Sequence, residues 1–271
     1  MRARAALGAL VLAVALAPGG VSAREQEPVP RMATAEAQLA YARARKGALA
    51  RAAPAEAAAA RERAVAAYQA VRVFHPAARA PAVEAAFRAG ELLRAAGADE
   101  GARAEFAWAA EHGAGTDFRA RARLELGHLE RRAGRARGAL EVYLAVAGEA
   151  DARAARRDEA WLWAGVVWKT LGRTDEARAA WQRVAEQGAD ALVRIQAYDE
   201  LCALALERGD PEGAAGVLHE CLVRFSARAE EETRAGARVR AALLRMRSVT
   251  ELQRALARRR SPTVVGTPGK S

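Results

Sequence analysis

The chain has 271 residues, 52% of them hydrophobic but only 5% aromatic, and a formal charge of +10. Alanine supplies much of the apolar share, which suits closely packed helices better than a large layered core. No run alternates apolar and polar residues long enough to make a strand, so sheet-built classes are excluded.

At the N-terminus, Arg2 and Arg4 precede an apolar run from Ala5 to Ala17. Pro18, Gly19 and Gly20 break it before the small residues Val21, Ser22 and Ala23. That order is a secretion signal, and it implies cleavage near Ala23 and a periplasmic or secreted mature protein. The run is too short to span a bilayer, which takes ~20 residues, and no cysteine directly follows it to carry a lipid. Residues 24–34, with Pro28 and Pro30 among charges, read as a flexible leader. A helical repeat domain is expected over 35–260, and a disordered tail over 261–271, where prolines and glycines recur without periodicity.

Within 35–260 a repeat emerges when small residues in the middle of alternate helices are aligned. Gly90, Gly127, Gly165 and Cys202 are spaced by 37, 38 and 37 residues. Twelve residues after each stands Ala102, Ala139, Ala177 or Ala214, and four further on the bulky Phe106, Tyr143, Trp181 or Leu218. Three more residues lead to Ala109, Val146, Val184 and Cys221, while seven residues after each anchor comes Gly97, Gly134, Gly172 or Gly209. Five columns in register predict antiparallel helix hairpins. Small residues let two backbones approach, a bulky one fills the space beside them, and glycine turns the chain. One such hairpin cannot bury its apolar stripe alone, so neighbours must stack.

Ala64, Tyr68, Val71 and Pro76 repeat the second-helix columns one unit earlier. Asp210-Pro211, Thr174-Asp175-Glu176 and Asp99-Glu100 open second helices, with acids near the positive end of the helix dipole. Thr250 with Gln253 has the pattern of a capping box opening a short last helix. The expected fold is an all-α, right-handed α-solenoid of about five hairpins plus a short C-terminal capping hairpin.

These columns resemble the tetratricopeptide repeat. The fourth unit carries the signature best, in Trp161, Ala164, Gly165, Trp168, Gly172, Ala177, Trp181 and Val184. The period exceeds the family's ~34 residues, and the extra residues fall between hairpins, at 112–117, 148–157 and 187–191. The resemblance implies a non-catalytic scaffold that holds a protein or peptide on an inner wall made by the first helices. Carried over, that wall takes in Phe87, Glu91 and Arg94, then Arg121, Leu124, His128, Arg131 and Arg132, then Leu162, Val166 and Lys169. Its apolar floor and basic centre imply an acidic partner segment with apolar anchors. The family's asparagine-based clamp for carboxyl-terminal tails has no counterpart, since the chain contains no asparagine.

Other chemistry finds little support. His75, His112, His128 and His219 are not at metal-ligand spacing, so no metal or cofactor is expected. No nucleophile elbow, phosphate-binding loop or dinucleotide fingerprint is present, so no enzyme is expected. Cys202 and Cys221 stand in columns that want small apolar residues, which predicts buried free thiols; export leaves a disulfide as the alternative. Trp161 and Trp168 occupy core columns, whereas Trp163 lies off that stripe. Acids interleave with most arginines, which together with export argues against nucleic acid. The cluster Arg258-Arg259-Arg260 leaves open a second function, binding an anionic envelope polymer or lipid head groups.

Overall fold

The computed structural model describes residues 28–260, with side chains described as far as residue 257. The expected signal sequence, the first part of the expected leader, the expected tail and the side chains of Arg258 to Arg260 lie outside the described residues. Among those described, the chain is all α-helical and builds an α-solenoid of sequentially packed helices, in two compact units that divide at Glu105.

The first unit holds α1 (Ala35–Leu49), α2 (Ala57–Phe74), α3 (Arg79–Ala95) and the start of α4 (Asp99–His112), and α1, α2 and α3 pack in succession. Thr34 caps α1, its hydroxyl accepting the Ala37 N–H at 3.1 Å. Gln38 is fully buried. Its amide accepts the Met32 N–H at 2.8 Å and donates to the Pro30 carbonyl at 3.1 Å. A buried amide with both ends satisfied pins the chain it touches, so the leader expected to be flexible over 24–34 is held from Pro30 onward. In the same unit Glu105 receives hydrogen bonds from Gln69 at 2.8 Å and Arg72 at 3.3 Å, which ties α4 to α2.

The second unit contains the rest of α4 and eight further helices. They are α5 (Asp117–Arg132), α6 (Ala136–Ala147), α7 (Ala154–Thr170), α8 (Thr174–Gln187), α9 (Ala191–Glu207), α10 (Pro211–Glu230), α11 (Arg234–Leu244) and α12 (Arg247–Arg260). From α5 to α11 each helix packs on the next, and the first helices α5, α7, α9 and α11 also touch in turn.

The repeat columns have direct physical counterparts. A Cβ on Gly127 would stand 2.6 Å from Cε1 of the Tyr143 ring, and one on Gly165 would collide with the Trp181 indole. The anchor is therefore small because the bulky residue sixteen positions later packs directly against it. Trp181 is fully buried and donates its indole N–H to the Leu162 carbonyl at 3.1 Å. In the fifth unit Leu218 replaces the aromatic ring, and the thinner side chain leaves room for a cysteine where glycine stood. Cys202 fills it, packed with Ala214, Leu218 and Leu252.

The turns of the four hairpins from α3–α4 to α9–α10 use one device. At Gly134 and Gly172, φ is +75° and +76°. There the glycine N–H bonds three residues back and the next N–H five residues back, as in Gly172 to Lys169 and Arg173 to Trp168. This pair of bonds closes a helix only if the turning residue is left-handed, which glycine adopts without strain.

Between hairpins the longer connections are fastened by charge. Glu149 accepts from Arg123 at 2.6 Å and pairs with Arg119 at 3.3 Å, and Asp158 accepts the Ala189 N–H at 2.6 Å. Asp210 caps α10 ahead of Pro211, accepting the Gly213 N–H at 2.8 Å.

The C-terminal pair departs from the expected pattern. α12 begins at Arg247, three residues before the anticipated start, and packs on α9 and α10. Its cap is not Thr250 but Asp199 of α9. That carboxylate accepts the Arg247 and Ser248 N–H groups at 3.2 and 3.0 Å and the Ser248 hydroxyl at 2.5 Å. A cap supplied from 49 residues away leaves no local signature in the sequence.

Candidate partner-binding groove

The inner helices α5, α7, α9 and α11, with the first residue of α12, enclose a cavity of about 910 Å³. That is at the upper end of ligand-pocket sizes, ~300–1,000 Å³. Leu162, Trp163 and Val166 of α7 meet Leu192 and Ile195 of α9 on its floor, and Ala237, Ala241, Ala242 and Met246 close the far wall. Five arginines line it: Arg131, Arg234, Arg238, Arg245 and Arg247. Two carboxylates, Asp199 and Glu200, oppose them.

Those two acids are already engaged. Arg247 lies 2.8 Å from Glu200 and 3.6 Å from Asp199, and Asp199 also holds the α12 N-terminus. Burial raises the Glu200 carboxyl above its ordinary value of 4.5, against the lowering pull of Arg247 and Lys169. At the other end of the groove the Arg131 guanidinium lies over the Trp163 ring at 4.7 Å, and His128 meets the same ring edge-on at 4.9 Å. His128 Nδ1 is 2.6 Å from the Tyr143 hydroxyl. Burial pushes that phenol well above its ordinary value of 10.0, although Arg131 draws it down.

Of the inner-wall residues expected from sequence, the cavity brings together Arg131, Leu162 and Val166. His128 stands behind it, against Trp163. Phe87 and Leu124 are buried in the core. Arg121 lies over the Phe118 ring at 5.3 Å, and Arg132 is exposed on the last turn of α5. Lys169 turns to Glu207 at 2.5 Å. Glu91 pairs with Arg88 at 2.8 Å and Lys46 at 3.5 Å in the first unit, where Arg94 is half-buried.

Phe87 and Leu124, three before their anchors, are buried in the core, whereas Leu162 in the same register is buried yet lines the groove beside Trp163, and Glu200, two before its anchor, lines it as well. A shift of one residue along a helix rotates a side chain by about 100°, enough to exchange a wall residue for a core one. Trp163 was distinguishable as the indole off the core stripe. The α11 arginines were not, because α11 and α12 depart from the repeat.

Elsewhere, Trp161 and Trp168 stack at 6.1 Å in the core of α7, and Arg183 covers Trp161 at 4.9 Å. His75 and His112 close α2 and α4, and His112 stacks on Trp108 at 4.2 Å. Both cysteines are free and buried, and burial raises both thiols, Cys221 to about 12. Among the described residues no helix is long and apolar enough to cross a membrane.

No protein-family model matches the chain, and no curated protein does. Among solved structures the chain is similar to BtubC (BKLC) from P. vanneervenii. The TM-score is 0.51 at 16% identity, over 88% of this chain and 96% of that one. At that identity the likeness is one of fold alone.

Proposed function

We propose that this chain is an exported, non-catalytic scaffold of the tetratricopeptide type that holds a protein or peptide of the bacterial envelope in its inner groove. The observation that carries this reading is the groove itself. Its floor is continuous and apolar, its rim is arginine, and its two acids are neutralised by groups of the same chain. Such a surface is built to bind rather than to react. The family assignment rests on the five residue columns and their common packing of a bulky ring on a small anchor; export rests on residues 1–23.

A photo-crosslinking residue placed at Ala241 inside the groove is expected to give defined protein adducts in envelope extracts. The same residue at the exposed Ala179 of α8 is expected to give none. Equal labelling from the two positions would remove the groove from the argument. N-terminal sequencing of the mature protein should begin at Arg24, and a mature product that retains Met1 would end the export reading.

A further inference from the structure

We propose that the groove reads an extended acidic segment, with carboxylates on Arg234, Arg238 and Arg245 and an apolar side chain set on Leu162, Trp163 and Val166. This rests on the groove-binding reading above and names what the groove selects.

Three observations converge. The first is uncompensated charge. Asp199 and Glu200 are committed to Arg247 and the start of α12, and Arg131 is stacked on Trp163. Arg234, Arg238 and Arg245 are exposed along the groove, and no described carboxylate pairs with them. A guanidinium presents a planar fork that matches a carboxylate in two parallel hydrogen bonds.

The second is spacing. These arginines lie four and seven residues apart along α11 and its C-cap. At a rise of 1.5 Å per residue the separations are roughly 6 and 10.5 Å. An extended chain advances about 3.3 Å per residue, so it meets them with acids two and then three residues apart. The third is the floor. Leu162, Val166 and Ile195 offer no polar partner beneath the arginine rim, which an apolar side chain satisfies and a bare polyanion does not.

Selection of random dodecapeptides displayed on phage against the full mature chain tests this without knowledge of the natural partner. Enrichment of Asp and Glu at intervals of two and three residues around an apolar residue is expected. A fluorescein-labelled copy of the selected peptide should bind Arg234→Glu/Arg238→Glu more than tenfold more weakly. It should bind Arg178→Glu/Arg224→Glu, reversals on α8 and α10, as tightly as the parent. An unlabelled copy should shift the intrinsic tryptophan emission, and Trp163→Phe should abolish the shift. Selected peptides that lack acids, or that bind the α11 reversal normally while still shifting Trp163, would overturn the acidic specificity and leave the groove reading standing. Failure to select any peptide that shifts Trp163 would overturn both. Equal weakening by the two reversals, with polyphosphate binding at the same site and the same salt dependence, would replace the acidic peptide by a diffuse polyanion.

Discussion

The α7–α8 hairpin and the α11–α12 pair are the two extremes of the second unit. In α7–α8 every repeat column is filled: Gly165 lies beneath Trp181, Ala177 and Val184 are fully buried, and Gly172 turns the chain. The α11–α12 pair has none of those columns. It is held by two carboxylates of α9, Asp199 and Glu200, and by a few buried side chains such as Val239, Met246 and Leu252. The regular hairpin contributes core; the irregular pair contributes the arginine wall of the groove. Where the sequence obeys the repeat it secures the fold, and where it leaves the repeat it shapes a surface.

The largest effect that separates the two regions should come from the anchor. Gly165→Leu pushes side-chain carbon into an indole already in contact, and its neighbours Leu162 and Trp168 are themselves buried. Overpacking of this kind costs about 1–3 kcal/mol, and the upper end is expected because the obstacle is a rigid ring. Thermal unfolding should show a single lowered transition for the helices around α7. A variant as stable as the parent would mean that the anchor column has been misplaced.

Asp199→Asn tests the other region. One amide oxygen replaces a carboxylate that accepts two backbone N–H groups and a hydroxyl, with Arg247 alongside. Hydrogen bonds to a charged group contribute about 1.5–3 kcal/mol, so a loss near 2 kcal/mol is expected, confined to the C-terminal end. Hydrogen exchange should quicken in α12 and leave α7 and α8 unchanged. Uniform acceleration across the unit would show that α12 is part of the cooperative core rather than an attachment to it.

How much of this was legible follows from how local each feature is. The hairpins were legible because each column records a contact that recurs at a fixed distance along the chain, such as Gly127 with Tyr143 and Gly165 with Trp181. The connections at 113–116, 148–153 and 188–190 fell where the excess length placed them. The α12 cap was not legible, since Asp199 and Ser248 are far apart in sequence and the local signal at Thr250 pointed to a later start. For the groove, the helices are legible in the sequence, and Arg131, Leu162 and Val166 of the expected wall line the cavity. Leu124 of the expected wall is buried in the core, while Trp163, off the core stripe in the sequence, lines the cavity.

The cysteines sharpen the same contrast with a smaller effect. Cys202 occupies the anchor of the fifth unit and Cys221 a second-helix column, and both are fully buried. Burial raises both thiols, Cys221 to about 12, so little thiolate exists at neutral pH to react. Native protein should resist iodoacetamide, and protein denatured without reductant should take up two labels. A mass 2 Da below the sum with no labelling would establish a bridge instead. Asp199→Asn, by loosening α12 and withdrawing Leu252 from its contact with Cys202, should make Cys202 the first thiol to react.

The smallest expected effect is a pH slope at the boundary of the two regions. Glu200 is folded with its carboxyl raised above 4.5, chiefly by burial, while the unfolded chain releases the proton near the ordinary value. Between those two points the folded state binds more protons, so Glu200 contributes a loss of stability as pH rises through that window. Below the ordinary value both states are protonated and the contribution vanishes; above the raised value it reaches its full destabilising size. Glu200→Gln removes the titration. It also removes one partner of Arg247, which retains Asp199 at 3.6 Å, and because the Arg247 guanidinium is largely exposed the lost pair contributes under about 1 kcal/mol. Urea midpoints measured from pH 4 to 7 should therefore decline less steeply with pH in Glu200→Gln than in the parent, with the difference read by α12 rather than by α7. An unchanged slope would mean that Arg247 compensates the buried charge fully, and that the groove's second acid is neutral in effect at every pH the protein meets.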